Sequence, residues 1–248
     1  MTIDLNCDLG EGAGHDAELM PLISSANIAC GAHAGDAATM RATVALAVRH
    51  GVAIGAHPGF ADRENFGRRE LAVSPAAAAE LVLTQVQALQ EISAESGAVV
   101  SHVKLHGALY NLASRDAALA EAIVRAIGGT RKIRILYVLA GSEFERVART
   151  HGNFRVVAEF FSDRTYQRDG SLTSRREPNA MITDEDAAVA QVLTMVRKGV
   201  VCATDGTEIP VTAGTVCLHG DGSNAVAFAR RLRRSLAAAG IAVRAPVA

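Results

Sequence analysis

The chain has 248 residues, 49% of them hydrophobic and 21% charged, with a formal net charge of -1; that is the profile of a globular domain with ample apolar material for a core. Near-neutral charge and only 4% aromatic residues argue against a nucleic-acid surface, which needs a basic track or stacking rings. No apolar run approaches the roughly 18 residues of a membrane span, and no leader-like segment precedes Ile3. Cys7, Cys30, Cys202 and Cys217 are dispersed, without a Cys-x-x-Cys pair, so reduced thiols and a cytoplasmic address are expected.

The first predicted strand, 3–8, puts Asp4, Asn6 and Asp8 on one face and Ile3, Leu5 and Cys7 on the other. A Gly-rich turn over 9–14 carries Glu11 just past the strand end. A tight turn is its simplest reading, because no Gly-x-x-x-x-Gly-Lys-Ser/Thr phosphate loop occurs. A second strand, 27–33, ends in His33, and a helix over 37–50 is closed by Gly51. The third strand, 52–57, ends in His57 and opens into a polar loop to Ser74; Ser74-Pro75 then starts a helix over 75–96.

The fourth strand, 99–106, alternates His102, Lys104 and His106 with Val103 and Leu105. A helix over 115–127, an apolar strand over 133–139 and a short helix over 142–150 follow. In the sixth strand, 155–161, Val157, Glu159 and Phe161 share a face, with Asp163 just beyond. Residues 162–181 show no period, and a loop that long in a compact domain is usually functional. A helix over 183–198, a hairpin of 200–204 and 208–212 about Asp205-Gly206, a last strand over 215–221 with Cys217, His219 and Asp221 on one face, and a helix over 223–239 complete the chain.

About seven strands alternating with helices predict a single α/β domain over 1–248, a mostly parallel sheet closed into a distorted (β/α) barrel. In such barrels the C-terminal strand ends carry the active site, which is where His33, His57, His106, Glu159, Asp163, His219 and Asp221 fall. Two chemistries fit these residues. Asp8, His33 and His57 offer one carboxylate and two imidazoles to a divalent ion, with open positions for water. Alternatively, metal-free hydrolysis would use Asp8 or Glu11 as general base, His106 or His219 as acid or oxyanion partner, and Lys104 as a fixed positive charge rather than a Schiff-base amine. Arginines 63, 68, 69, 164, 175 and 176 lie in the two long loops bordering the mouth, where one or two would bind a carboxylate or phosphate.

The segments 4–11, 25–36, 54–59 and 66–69, together with 102–111, Asp163-Arg164-x-Tyr166 and His219-Gly220-Asp221, resemble the LamB/YcsF family, the A-type component of the prokaryotic 5-oxoprolinase, over nearly the whole chain. The resemblance implies a barrel of the glycoside hydrolase/deacetylase type. It also implies ring opening of 5-oxoproline to L-glutamate with ATP as co-substrate, with or without magnesium, in a complex with B and C subunits. Leu105, Ala37 and Ala61 stand where the family pattern has proline, which bears on loop stiffness and removes no ionisable group. Catalysis is assigned to Asp8, Glu11, Lys104 and His106, and substrate contact to Asn6, His33, His57, Arg63, Glu159, Arg164, His219 and Asp221. A resident metal is not expected; if one is held, Asp8, His33 and His57 are its candidates. The alternative function is a metal-dependent, deacetylase-like hydrolase of a small amide or sugar amide.

Overall fold

The computed structural model describes residues 1–130, 133–151, 153–220, 222 and 224–247, so the expectation for Asp221 lies outside the described residues. In chain order the elements are β1 (Thr2–Leu9), α1 (Asp16–Leu19), β2 (Ser25–Ala29), α2 (Ala37–His50), β3 (Ala53–His57), α3 (Pro75–Glu95), β4 (Val100–Lys104), α4 (Gly107–Ala113), α5 (Ala117–Gly129) and β5 (Ile135–Leu139). Then come α6 (Glu143–Thr150), β6 (Arg155–Phe161), α7 (Glu185–Lys198), the hairpin β7 (Val200–Cys202) and β8 (Glu208–Pro210), β9 (Thr215–His219), α8 (Ala225–Ala238) and β10 (Ala242–Val243). Strands β1 through β6 pair in sequence, all parallel, and β9 closes the ring by pairing with both β6 and β1. The result is the expected closed seven-stranded barrel, with β10 extending β1 at its start.

Local sequence sets the helix boundaries. Asp36, Ser74, Asp116, Ser142 and Asp184 each accept a backbone N–H in the first turn of the following helix, and Gly51 and Gly199 end α2 and α7 in the left-handed conformation. Three expectations shift, the first being that β4 stops at Lys104, so that His106 lies beyond the strand as the N-cap of α4. The second strand is two residues early and stops at Ala29, so His33 sits in a loop whose Gly31 and Gly35 have positive φ. Residues 107–113 form a separate short helix, for which Leu109 and Ala113 alone are too brief an apolar pattern to read.

Outside the barrel, Ile3, Leu5, Cys7, Val103 and Leu105 pack into the main core beneath the helices. Inside, side chains stack in layers as barrel geometry demands. The lowest holds Asp4, whose carboxylate accepts bonds from Ser24 (2.7 Å), Ser25 (2.8 Å), Tyr137 (2.8 Å) and Thr215 (2.5 Å). His102 stacks on Tyr137 there, with ring centroids 4.3 Å apart, and its Nε2 meets Asn27 Oδ1 at 2.9 Å. A Cβ on Gly55 would lie 2.0 Å from His102 Nε2, so this inward position of β3 tolerates no side chain.

The middle layer centres on Lys104. Its Nζ lies 2.9 Å from Asp8 Oδ1, 2.9 Å from Glu159 Oε1, 2.9 Å from Cys217 Sγ and 3.2 Å from Asn6 Oδ1, binding β4 to β1, β6 and β9. Asn27 donates to Asn6 and Asp8, Asn6 donates to Glu159 and Thr215, and the Tyr110 hydroxyl donates to the other Glu159 oxygen at 2.8 Å. Lys104 therefore pairs with Asp8 and Glu159, whereas Asp4 stays in its own hydroxyl cage.

Two substitutions test this packing by chemical denaturation. Gly55→Ala is expected to destabilise the fold by about 3 kcal/mol or more, above the usual overpacking cost, because the methyl group overlaps a ring with no room to move. Lys104→Met keeps the volume but strands two buried carboxylates, at an expected cost of about 3–5 kcal/mol near neutral pH. The gap between Lys104→Met and wild type should close as pH falls below the usual carboxylate range. Lys104 helps hold Asp8 well below that range, so its contribution is complete above the unfolded-state pKa and is lost as pH drops through the folded one.

Candidate active site at the barrel mouth

Above Lys104 the strand ends and their loops converge. Asp8 comes from β1, His57 is the last residue of β3, His106 forms the N-cap of α4, and Glu11 and His33 stand in the loops after β1 and β2. The turn carrying Glu11 is a tight turn: the Gly10 amide donates to the Asp16 carboxylate at 2.9 Å, so it is engaged internally rather than aimed at a phosphate. Arg63 lies on the surface and donates to the carbonyls of Gly31, at 2.7 Å, and Gly35, fixing the loop that presents His33.

The donor atoms meet closely. Glu11 Oε1 is 3.2 Å from His33 Nε2, 3.5 Å from His106 Nδ1 and 3.8 Å from His57 Nε2. His57 Nε2 lies 2.9 Å from His106 Nδ1 and 3.3 Å from Asp8 Oδ2. His33 and His106 stack with centroids 3.8 Å apart and planes 3° from parallel, and His57 stands edge-on to both.

Loop 58–68 forms one wall. Phe66 has φ +54°, a left-handed conformation that costs a non-glycine residue of order 1 kcal/mol. It aims the Phe66 carbonyl at His106 Nε2, 2.8 Å away, and its ring meets both His33 and His106 edge-on. Gly67, also at positive φ, packs so tightly that a Cβ would lie 2.8 Å from that of His33.

Burial and charge sort the protonation states. Burial opposes the charge of Asp8, yet His57 and Lys104 hold its carboxyl well below the usual range. Burial likewise opposes the Lys104 ammonium, but Asp8, Cys217 and Glu159 keep it well above the ordinary lysine value. His33 is pushed down to about 3, chiefly by burial, and His106 falls well below the usual imidazole range for the same reason, reinforced by His57 and His33. The site thus presents an ionised carboxylate at Asp8, a fixed ammonium at Lys104 and neutral imidazoles at His33 and His106.

On the far side of Asp8, His219 Nδ1 donates to Asp163 (2.8 Å), and Arg175 reaches His219 Nε2 at 3.2 Å. Burial opposes the Asp163 charge as well, but His219 and Arg175 leave its carboxyl below the usual range. Loop 162–181 is pinned by Arg164, whose buried guanidinium donates to the carbonyls of Thr173 and Ala180 and is pushed down to about 10 by burial. Of the expected site residues, Asp8, Glu11, His33, His57, Lys104 and His106 form one cluster, with Asn6 and Glu159 beneath and His219 beside it. Arg63 and Arg164 turn to backbone carbonyls instead. Asn27, Tyr110 and Phe66 belong to the assembly although, beyond lying in segments that carry the family resemblance, they have no role assigned from the sequence. Asn27 shares the inward face of its strand with Ser25, a readable signal, whereas Tyr110 and Phe66 arrive through a short helix and a loop that carry none.

Comparison with known proteins agrees with this architecture. A model of the LamB/YcsF family matches residues 3–248. A Geobacillus kaustophilus protein, named as the A-type component of 5-oxoprolinase, is 53% identical over 99% of this chain and 97% of its own length, and one of the same name from Shouchella clausii is 53% identical over 98% of both chains. The crystal structure of a lactam utilization protein from Thermus thermophilus superposes with a TM-score of 0.92 at 46% identity, covering 99% of this chain and all of that one. A family 4 carbohydrate esterase from Streptomyces lividans, at 14% identity and a TM-score of 0.51 over 98% of this chain and 91% of that one, shares the fold alone. The full-length match, with Asp8, Glu11, His33, His57, Lys104 and His106 gathered at the mouth of the closed barrel, establishes that the chain belongs to the LamB/YcsF family.

Proposed function

We propose that this chain is the ring-opening, A-type component of a 5-oxoprolinase, a hydrolase of the cyclic amide 5-oxoproline that yields L-glutamate, with the reaction driven by ATP and completed by partner B and C subunits. Two relatives at 53% identity and near-complete coverage carry that 5-oxoprolinase name, which makes each of them one component of a larger assembly. The observation that carries the chemistry is Asp8, an ionised and nearly dry carboxylate at the barrel mouth, held by Lys104 at 2.9 Å and His57 at 3.3 Å.

A five-membered lactam is a stable amide, so its carbonyl oxygen must first be converted into a better leaving group. Transfer of the ATP γ-phosphoryl group to that oxygen leaves C5 doubly bonded to nitrogen and singly bonded to the phosphate oxygen. Water then adds to C5 and gives a proton to Asp8 or Glu11; the C5–N bond breaks as nitrogen takes up a proton, and a second water releases phosphate from the resulting acyl phosphate. Lys104 keeps Asp8 deprotonated and ready for this role. Arg68, over the Phe66 ring at 4.8 Å, and Arg175, beside His219, bring positive charge to the rim for the substrate carboxylate and phosphoryl oxygens. The sequence carries no Walker-A motif, so phosphoryl transfer is assigned to the partner subunits.

The test is glutamate release from 5-oxoproline and ATP by the purified chain, with and without its B and C partners. Turnover is expected only in the full mixture, and Asp8→Asn, folded by circular dichroism, should lower it by about 100-fold or more, the scale of a lost general base. Full turnover by the isolated chain would refute the division of labour. Unchanged turnover with Asp8→Asn would reduce the chain to a scaffold.

A further inference from the structure

The two facing nitrogens of His57 and His106 pose a bonding problem. His57 Nδ1 lies 2.9 Å from the Lys104 carbonyl and His106 Nε2 lies 2.8 Å from the Phe66 carbonyl, and a carbonyl oxygen only accepts, so both of these nitrogens carry hydrogen. In neutral rings the opposite nitrogens, His57 Nε2 and His106 Nδ1, are then both lone pairs, yet they face each other at 2.9 Å. Two lone pairs at that distance need a cation between or beside them.

We propose that Glu11, His33, His57 and His106 form a binding site for one first-row divalent transition ion of the zinc type. Their four donor atoms all lie within 4.8 Å of one another. Four of the six edges they span run 2.9, 3.2, 3.5 and 3.8 Å, around the edges of about 3.3–3.6 Å expected when a tetrahedral ion sits roughly 2.0–2.2 Å from each ligand. The donor atoms are gathered closely enough for one ion, and the stacked rings of His33 and His106, now 3° from parallel, would tilt so that both lone pairs meet it.

The surroundings are those of metal ligands. Both His57 and His106 donate their second N–H to a backbone carbonyl, the arrangement that fixes the tautomer and orientation of a ligating imidazole. The left-handed backbone at Phe66 serves that contact. His33 has its Nδ1 buried without a partner among the described residues, and its hydrogen-bonding contact, at Nε2, points into the cluster. Three imidazoles with one carboxylate select zinc, cobalt or a similar ion over magnesium or calcium, which prefer all-oxygen sites. Asp8, 3.3 Å from His57 Nε2, stands at the edge of the set as a fifth donor or a partner for ion-bound water.

This inference stands on the cluster's geometry and does not rest on the lactam reading. Its test is chelator treatment of the full purified chain followed by titration with Co2+, watching the visible ligand-field bands. The expected result is one equivalent bound, with the absorption of a four- or five-coordinate site containing nitrogen donors, displaced by one equivalent of Zn2+ and accompanied by a rise in the thermal midpoint. Glu11→Gln, nearly isosteric, and His106→Ala should each weaken binding by at least about 100-fold, the upper end of what loss of an outer-shell partner alone costs. His219→Ala, in the neighbouring Asp8, Cys217 and His219 group, should bind Co2+ as wild type does. Failure of the wild type to take up Co2+ or Zn2+ at micromolar concentration would overturn the proposal and leave a proton shared by His57 and His106 as the cation. Uptake that survives Glu11→Gln and His106→Ala but is lost in His219→Ala would overturn it too. Because ion uptake by the isolated chain is the readout, failure here leaves the ring-opening reading intact, and failure of ring opening leaves this proposal intact.

Discussion

A lysine ammonium on the axis of a closed barrel is costly to desolvate, by several kcal/mol even after relaxation. Lys104 is fully buried, and its Nζ is matched by the carboxylates of Asp8 and Glu159, each at 2.9 Å, with Asn6 and Cys217 filling the remaining directions. Such a network adds little net stability compared with an apolar core of the same volume, but removing one member is severe. Its consequence is positional. A one-residue slip of β4 would carry Lys104 to the helix side and Val103 into the interior, stranding two carboxylates. The same contacts that fix the register of β1, β4, β6 and β9 therefore fix where Asp8 stands and keep it ionised.

The loops above obey a second constraint. Each must hold a polar side chain over the mouth while satisfying its own backbone, because buried carbonyls and amides without partners cost about as much as lost hydrogen bonds. Arg63 does this for the His33 loop through Gly31 and Gly35, and Arg164 does it for residues 162–181 through Thr173 and Ala180. These two arginines, whose charge invites assignment to a ligand, are spent on the architecture of the mouth. Arg68 and Arg175 remain at the rim, one over an aromatic ring and one against His219. Asp8 and Glu11 retain little exposure.

The alternation in β1 and β4 is legible in the sequence because a two-residue period with charged groups on one face and aliphatic groups on the other has few physical explanations. It identifies Asp4, Asn6, Asp8, His102 and Lys104 as inward-facing, and the order of strands and helices points to a barrel. The division of labour among those residues is not legible. Asp4 and Asp8 look equivalent in sequence, and only the three-dimensional partners separate them. His33 reaches the mouth from a glycine-turned loop rather than a strand end, and Tyr110 reaches Glu159 from a seven-residue helix. A helix so short buries too few apolar side chains to leave a period, and loop conformations such as that of Phe66 depend on contacts made far away in sequence.

The contrast between Asp4 and Asp8 shows how one strand runs two chemistries. Both project into the barrel from β1, four residues apart. Asp4 lies at the closed end, where burial lifts its pKa above the usual carboxylate value despite bonds from four hydroxyls. Those hydroxyls, on Ser24, Ser25, Tyr137 and Thr215, are neutral and can rearrange their hydrogens around either protonation state. At the open end burial opposes the charge of Asp8 as well, but His57 and Lys104 outweigh it and hold the pKa well below the usual value. Environments thus drive two like groups on one strand apart, leaving Asp8 charged at the mouth and Asp4 braced among hydroxyls. The charge at the mouth therefore follows from the placement of His57 and of one lysine along the barrel axis, both near enough to Asp8 to keep it ionised, while Asp4 is surrounded by neutral hydroxyls.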